Sequence, residues 1–181
     1  MNDVVFITGN QNKAEQLAKW LGMSVEHQKV DLDEIQSLEL REVVEHKARQ
    51  AYDIVKRPVI VEDVAMTFTA FNALPGPFIK WFEKGSSLET ICRMLDAFDD
   101  RSAEARTMYG LFDGEQLYVF EGIMRGTIAD KPKGTGGFGF DSIFINEGQP
   151  LTRAEMDDDT YSKTSYRIDA LARLRAFLQK T

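Results

Sequence analysis

The sequence predicts a mixed α/β fold, on two observations. Strand-like and helical patterns alternate over the first third of the chain, and strand-like patterns then cluster before a closing amphipathic helix. A chain of 181 residues with 43% apolar and 28% charged residues has the composition of an ordinary globular protein. It is long enough for one domain, or for one domain that a cleft divides into two lobes.

Each element of the first half follows from a local pattern. A buried strand is predicted over residues 4–8, and a helix over residues 12–21 that Gly22 ends. Residues 38–55 form a second predicted helix, because their apolar residues fall on one side. Residues 59–61 are predicted to form a short apolar strand that ends in an acidic pair.

In the second half, Pro-Gly-Pro at residues 75–77 breaks the chain, and Asp113-Gly114 is typical of a hairpin turn. The elements expected there are an amphipathic helix over 87–98, two or three strands over 103–128, a strand over 140–145 after a glycine-rich loop at 133–139, and a closing helix from about 165 to 180.

Charge and composition argue against several kinds of partner and location for this protein. The net charge of −7 argues against a polymeric nucleic acid as partner, because phosphate backbones are bound by basic patches. A few lysines that converge on one pocket can still bind a small phosphorylated ligand. No window is apolar enough for a membrane span, and the first strand begins too close to Met1 to leave room for a signal peptide. The single cysteine, Cys92, is expected to fill the core of a cytoplasmic protein.

The exit of the first strand, Thr8-Gly9-Asn10, is followed by Lys13 at the start of a helix. A glycine turn at a helix N-terminus suits phosphate, and the hydroxyl, the amide and the ammonium add three polar contacts. The alternative is an ordinary strand–turn–helix with a capping asparagine and a solvated lysine.

Three carboxylates are candidates for a metal ion. Glu62 and Asp63 follow an apolar strand, where burial of an unpaired charge would be costly, and Glu34 precedes the second helix. Carboxylates together with phosphate oxygens are the ligands that Mg²⁺ prefers. The alternative is a solvated acidic turn, together with acidic residues that complement a helix dipole.

Two lysines lie among apolar residues and are candidates for phosphate contacts. Lys47 lies in the apolar stripe of the second helix, and Lys80 lies in an aromatic run. The alternative for Lys47 is a stem packed on the core with its ammonium in water, and for Lys80 simple surface packing.

The segment Phe138-Gly139-Phe140-Asp141 combines flexible backbone, two aromatic rings and an acid. Rings can stack on a nucleobase and a carboxylate can accept hydrogen bonds from its edge. Residues 162–167 open the closing helix with hydroxyls, a lysine and an arginine, which either cap the helix or bind an anion or a base carbonyl.

Taken in order, these motifs resemble the Ham1 (inosine triphosphate pyrophosphatase) family, from Val4 to about Leu178. The shared blocks are T-G-N-x-x-K, V-E-D, L-P-G-P-[aromatic]-I-K-W-F, G-G-F-G-F-D and S-[aromatic]-R. The resemblance implies a single domain over residues 1–181, with a mixed twisted sheet, flanking helices and two lobes around a central cleft. It also implies a homodimer that uses Mg²⁺ to cleave nucleoside triphosphates between the α- and β-phosphates. The implied substrates are deaminated purine nucleotides (ITP, dITP and XTP), which are removed before polymerases incorporate them.

The resemblance also assigns roles to individual residues. Glu34 and Asp63 match metal-binding carboxylates that Glu62 assists, and Asp63 matches the general base that activates water. Lys13 is expected to act with Asp63 in catalysis. The residues assigned to substrate contacts are Thr8, Gly9, Asn10, Lys13, Lys47, Val64, Lys80, Phe138, Gly139, Phe140, Asp141, Lys163, Tyr166 and Arg167.

Two positions depart from the family pattern, which has a lysine, three residues and then Ser-His-Arg. Counting back from Arg167, Tyr161 occupies the lysine position and Tyr166 the histidine position, with Lys163 a candidate to compensate. Because a tyrosine carries no fixed positive charge, we expect cleavage to be retained and base selectivity to be altered or relaxed. The alternatives are the same chemistry on a different or broader set of nucleotides, and a nucleotide-binding module without turnover.

Overall fold

The computed structural model describes residues 3–180, apart from the side chain of Asn12. In this part of the chain seven strands form one sheet, in the order β2-β1-β3-β5-β6-β7, with β4 paired to β3. The pairs that β1 makes with β2 and β3 are parallel, whereas β3–β4 and β6–β7 are antiparallel. The strands are β1 (Val5–Ile7), β2 (Glu26–Gln28), β3 (Val59–Phe68), β4 (Pro75–Gly76), β5 (Ser102–Phe112), β6 (Leu117–Ile128) and β7 (Phe144–Asn146).

Helices flank this mixed sheet, which confirms the predicted α/β class. They are α1 (Gln11–Leu21), α2 (Leu40–Val55), α3 (Ile79–Gly85), α4 (Leu88–Met94), α5 (Asp158–Lys163) and α6 (Ile168–Leu178). Short 3₁₀ turns cover Thr69–Phe71, Gly139–Ser142 and Arg153–Glu155. Within the described residues, each helix falls short of the length and apolarity needed to cross a membrane.

The strand predicted over residues 59–61 is longer than its apolar run. β3 continues to Phe68, so Glu62 and Asp63 lie inside the strand rather than at its end. Two tertiary contacts explain the extension: Met66 and Phe68 are fully buried, and β4 pairs with β3 at Met66 and Thr67.

The strand predicted over residues 140–145 and the closing helix are shorter than expected. Gly137 and Gly139 have positive φ angles, which break the extended backbone before a 3₁₀ turn, and the strand begins only at Phe144. α5 ends just before Thr164, whose hydroxyl donates a hydrogen bond to the carbonyl of Thr160. α6 then starts only at Ile168. The helix predicted over residues 38–55 is observed at Leu40–Val55. The helix predicted over residues 87–98 is observed at Leu88–Met94.

The chain divides into two units. Unit 1 comprises the described residues of Met1–Asp63, Thr107–Gly122 and Arg167–Thr181, and unit 2 comprises Val64–Arg106 and Ile123–Tyr166. In unit 1, α1 packs against α6, and both bury apolar side chains such as Leu17 and Leu171 in the same core as Phe6.

The core of unit 2 is built on the second half of β3 and on α4. Cys92 is fully buried there, which confirms its expected place in the core. Burial raises the pKa of its thiol to about 11, so the reactive thiolate is scarce at neutral pH.

Candidate active site

A buried carboxylate in unit 1 is held by two cations. Lys13 Nζ lies 3.2 Å from Glu62 Oε2, and Arg167 Nε lies 2.9 Å from Glu62 Oε1. The Thr107 hydroxyl donates to the same Oε1 at 3.2 Å. The four side chains come from α1, β3, β5 and the residue that precedes α6, so distant segments of the sequence converge on one charge.

The electrostatics of this cluster favour the ionised carboxylate. Burial raises the pKa of Glu62, but Lys13 and Arg167 outweigh burial and lower the pKa from 4.5 to about 2. Three donors thus hold an oxyanion that is almost sealed from water. This arrangement does not favour the predicted role of Glu62 as an assisting metal ligand, because its oxygens are already occupied. It favours Glu62 as the residue that positions Lys13.

The next residue on β3, Asp63, has a different environment. Successive strand residues point to opposite faces, so Asp63 does not share the Glu62 cluster. Its Oδ2 lies 2.9 Å from Lys47 Nζ on α2, and both side chains keep some exposure, 21% and 16%. Lys47 is thus mostly shielded from solvent, and its ammonium meets a carboxylate rather than the water that the alternative interpretation expected.

The turn after β1 is built by its own side chains. The Thr8 hydroxyl accepts from the backbone N–H of Asn10 at 3.1 Å, and Asn10 Oδ1 accepts from the N–H of Lys13 at 3.4 Å. Asn10 therefore caps α1 as the alternative interpretation expected, whereas Lys13, which that alternative placed in water, pairs with Glu62. A Cβ added at Gly9 would lie 3.2 Å from Lys29 Cγ. The absence of a side chain at residue 9 therefore leaves room for the stem of Lys29.

Glu34 lies in the exposed loop before α2. Its neighbour Asp33 ties this loop to α2, exchanging hydrogen bonds of 2.8 and 2.9 Å with Gln50. Among the described residues there is no group of three or more His, Cys, Asp or Glu side chains that could hold a metal ion alone. The donor chemistry of Asp63 and Glu34 nevertheless suits Mg²⁺, which takes one or two carboxylates plus substrate phosphates.

A second buried carboxylate, Asp141, lies in unit 2. Its Oδ1 is 3.0 Å from Arg153 Nε, and its Oδ2 accepts from the Tyr161 hydroxyl at 2.8 Å and from the N–H of Phe138 at 3.0 Å. Gly137 makes room for the loop, since a Cβ there would lie 2.3 Å from Asp141 Oδ2. The predicted base-reading acid is therefore engaged by protein donors.

The aromatic residues predicted to stack on a base, Phe138 and Phe140, belong to the same loop as this carboxylate. Phe140 is buried and stacks on Tyr166, with ring centroids 6.2 Å apart at 26°. Burial, together with the Asp141 charge, raises the pKa of the Tyr161 phenol. Phe138 is only half-buried, so it is the more accessible of the two predicted stacking rings.

Arg153 was not among the predicted site residues. Its side chain is completely buried, and its guanidinium carbon lies 4.2 Å from the centroid of the Tyr161 ring. The sequence offered one hint: with tyrosine in place of lysine at 161, a buried Asp141 would need a cation from elsewhere, although nothing in the sequence indicates which one.

Three further predicted substrate contacts have other surroundings. Lys163 is exposed and pairs with Asp159 at 2.7 Å, one turn back on α5, so its ammonium does not replace the missing lysine. Lys80 is exposed on α3, with Nζ 6.0 Å from the Trp81 ring centroid. Val64 is half-buried and packs on the core of unit 2.

The fold and these clusters define a mixed α/β protein whose lysine–carboxylate pairs suit a phosphorylated ligand. The chain belongs to the Ham1 family, whose model matches residues 4–177. It is 39% identical to the inosine triphosphate pyrophosphatase of Scheffersomyces stipitis, over 98% of each chain. It is 38% identical to the enzyme of that name from Schizosaccharomyces pombe, over 99% of this chain and 96% of the relative.

Solved structures agree with the fold. The Ham1 protein of Staphylococcus aureus superposes with a TM-score of 0.85 at 24% identity, over 98% of both chains. A HAM1 protein from Coxiella burnetii gives a TM-score of 0.87 at 24% identity, over 98% of both chains. At this level of identity the likeness shows the fold alone.

Proposed function

We propose that this protein hydrolyses non-canonical purine nucleoside triphosphates (ITP, dITP and XTP) to the monophosphate and pyrophosphate, and so cleanses the nucleotide pool. The observation that carries the proposal is the pair of lysine–carboxylate contacts made by consecutive residues of β3, Lys13–Glu62 and Lys47–Asp63. Phosphoryl transfer depends on charge neutralisation and positioning, which such pairs supply. The curated relatives are named as inosine triphosphate pyrophosphatases.

Lys13 and Asp63 have different roles in the proposed reaction. Lys13, held by Glu62, donates to phosphate oxygens together with the N-terminus of α1 and the groups of Thr8 and Asn10. Asp63, held by Lys47, takes a proton from a water molecule. The water oxygen bonds to the α-phosphorus while the bond from that phosphorus to the bridging oxygen breaks. Pyrophosphate leaves, and Asp63 returns its proton to solvent.

Mg²⁺ is the proposed cofactor, with Asp63 and Glu34 as its protein ligands. When bound, the ion neutralises phosphate charge and stabilises the leaving pyrophosphate. Glu62 is left out of this set because three donors already occupy its oxygens.

The base-binding role belongs to the aromatic and acidic residues of unit 2. Phe138 offers a half-buried ring for stacking, and Asp141 with Tyr161 offers a fixed polar edge. A second candidate is the same chemistry on a different or broader set of nucleotides. Tyr161 and Tyr166 favour it, because they replace the lysine and the histidine of the family pattern, and a tyrosine carries no fixed positive charge.

We further propose that the protein acts in the cytoplasm as a homodimer, with neither a membrane nor a polymeric nucleic acid as partner. A net charge of −7 supports a small phosphorylated substrate over a nucleic acid.

The first experiment measures pyrophosphate release with Mg²⁺ from inosine, xanthosine, adenosine, guanosine and pyrimidine triphosphates, with and without EDTA. Chelator-sensitive turnover of the inosine and xanthosine substrates supports the housekeeping function. Turnover spread across all bases supports the broader candidate. Nucleotide binding with no turnover would show a binding module instead.

The substitution Asp63→Asn tests the mechanism. It removes the proposed base and a metal ligand together, so we expect kcat to fall about a thousandfold while nucleotide binding persists. Asp53→Asn is the matched control, because Asp53 is an exposed aspartate that pairs with Lys56 at the surface. Turnover close to normal in Asp63→Asn would remove Asp63 from the mechanism.

A further inference from the structure

Three donors converge on Asp141, and each comes from a different segment. Arg153 and Tyr161 bring the guanidinium and the phenol, and Phe138 brings a backbone N–H. Asp141 itself is only 3% exposed. A carboxylate held in this way cannot turn to meet a ligand, and the half-buried Tyr161 is the more accessible end of the network.

Arg153 contacts both Asp141 and Tyr161 and reaches beyond them. Its Nε pairs with Asp141, its Nη1 donates to the carbonyl of Thr164 at 3.1 Å, and its guanidinium lies over Tyr161 and 5.5 Å from the Tyr166 ring centroid. One buried cation therefore links the 138–141 loop, α5 and the turn that follows α5.

The remaining N–H groups of Arg153 argue against a role in stability alone. Within the described part of the chain, the buried Nη2 of Arg153 has no hydrogen-bond partner. The same holds for Oδ1 of Asn146, whose side-chain amide donates to the carbonyl of Thr164 at 2.9 Å. A buried ion pair with an unmet donor is often no better for stability than apolar residues of the same volume. What the arginine does supply is a fixed geometry for Asp141 and Tyr161.

We propose that Arg153 is a positioning residue that determines base selectivity, by holding Asp141 and Tyr161 in one arrangement against the nucleobase. The inference rests on the proposed function and deepens it. Selectivity is then set by a buried arginine at the start of the Arg153–Glu155 turn, rather than by a cation that touches the base.

The test compares kcat/KM for inosine and adenosine triphosphates, and the ratio between them, in four variants. Arg153→Met removes the cation, Arg153→Lys keeps it, and Tyr161→Phe removes only the hydroxyl. Arg101→Met is the matched control, because Arg101 is also a largely buried arginine of unit 2, but it bonds the backbone carbonyls of Cys92, Ile128 and Ala129.

We expect the ratio of inosine to adenosine turnover to change about tenfold in Arg153→Met and in Tyr161→Phe, mainly through KM, since one oriented hydrogen bond is worth about that factor. Arg153→Lys should recover most of the ratio. Arg101→Met should lower the Tm and leave the ratio unchanged.

The inference is overturned if Arg153→Met and Tyr161→Phe keep both KM and the ratio within about twofold of wild type, or if Arg101→Met shifts the ratio equally. Should Arg153→Met fail to fold, Arg153→Lys and Tyr161→Phe decide the question. If the wild-type protein releases no pyrophosphate, the proposed function fails, and calorimetric Kd values for the same two nucleotides and variants test the positioning role separately.

Discussion

At the scale of single residues, Glu62 makes the stability of the fold depend on pH. Its pKa is about 2 in the folded protein against 4.5 as the ordinary value, because Lys13 and Arg167 outweigh burial. A carboxyl group whose pKa is lower in the folded than in the unfolded protein stabilises the fold at pH values above its ordinary pKa. That stabilisation is lost as the pH falls from 4.5 towards 2.

We therefore predict that Glu62→Gln lowers the free energy of unfolding at pH 7 by about 3 kcal/mol, following the usual ~1.4 kcal/mol per pKa unit. The difference from wild type should shrink as the pH falls below 4.5. Urea unfolding at a series of pH values measures it. Glu45→Gln, which changes an exposed pair with Arg49, is the control and should have little effect. A difference that does not vary with pH would contradict the assignment.

Tyr161 gives a second prediction at this scale. Burial and the Asp141 charge raise the pKa of its phenol above the ordinary value for tyrosine, so the hydroxyl keeps its proton and its hydrogen bond throughout the neutral range. We predict that the ratio of inosine to adenosine triphosphate turnover is constant between about pH 6 and pH 9, because the hydrogen bond from Tyr161 to Asp141 persists over that range. A sigmoidal change in that ratio near neutral pH would show that another titrating group reads the base.

At the scale of elements, the loop before the Gly139–Ser142 turn depends on one glycine. Gly137 has φ +68°, and a Cβ there would lie 2.3 Å from Asp141 Oδ2. Gly148 is the matched control, because it has φ +76° with open space around it.

We predict that Gly148→Ala lowers the free energy of unfolding by about 1 kcal/mol, the cost of a left-handed backbone alone. Gly137→Ala should cost about 2 to 4 kcal/mol, because the loop must also move away from Asp141. Chemical unfolding of both variants measures the difference. Equal losses would mean that the loop accommodates a side chain without strain.

The elements also show what the sequence can and cannot predict. Helix-forming composition located α1, hydrophobic periodicity located α2, and the Asp113-Gly114 turn located the hairpin of β5 and β6, because those signals are local. The apolar run of β3 predicted a strand that ends at Val61, because the burial of Met66 depends on a core that the chain forms elsewhere.

For the candidate site, too, the sequence predicted the local motifs but not the contacts between distant segments. The turn after β1 and the acidic pair were visible as motifs, whereas the partners of Glu62 were not. Arg167 lies 105 residues away from it in sequence, and Thr107 lies 45 residues away. No local pattern indicates which arginine will meet a given carboxylate, and Arg153 was missed for that reason.

At the scale of the whole molecule, ligand binding should stabilise the native state. A non-hydrolysable inosine triphosphate analogue with Mg²⁺, at about 100 times its Kd, should add about 3 kcal/mol. For a chain of this size that corresponds to a rise in Tm of roughly 5–10 °C. Differential scanning calorimetry measures the shift, and EDTA should abolish most of it. A shift that survives EDTA would argue against a metal in nucleotide binding.

The core of unit 1 combines segments that are far apart in the sequence, which has a consequence for protein synthesis. β1, α1 and β3 are synthesised well before α6, which supplies Leu171 and Leu174 to the same core as Leu17. Until α6 has left the ribosome, Glu62 lacks Arg167 and the apolar side of α1 lacks the cover of α6. The early segments of the nascent chain therefore cannot complete their core before α6 is made, and contacts of such high sequence separation favour slow folding.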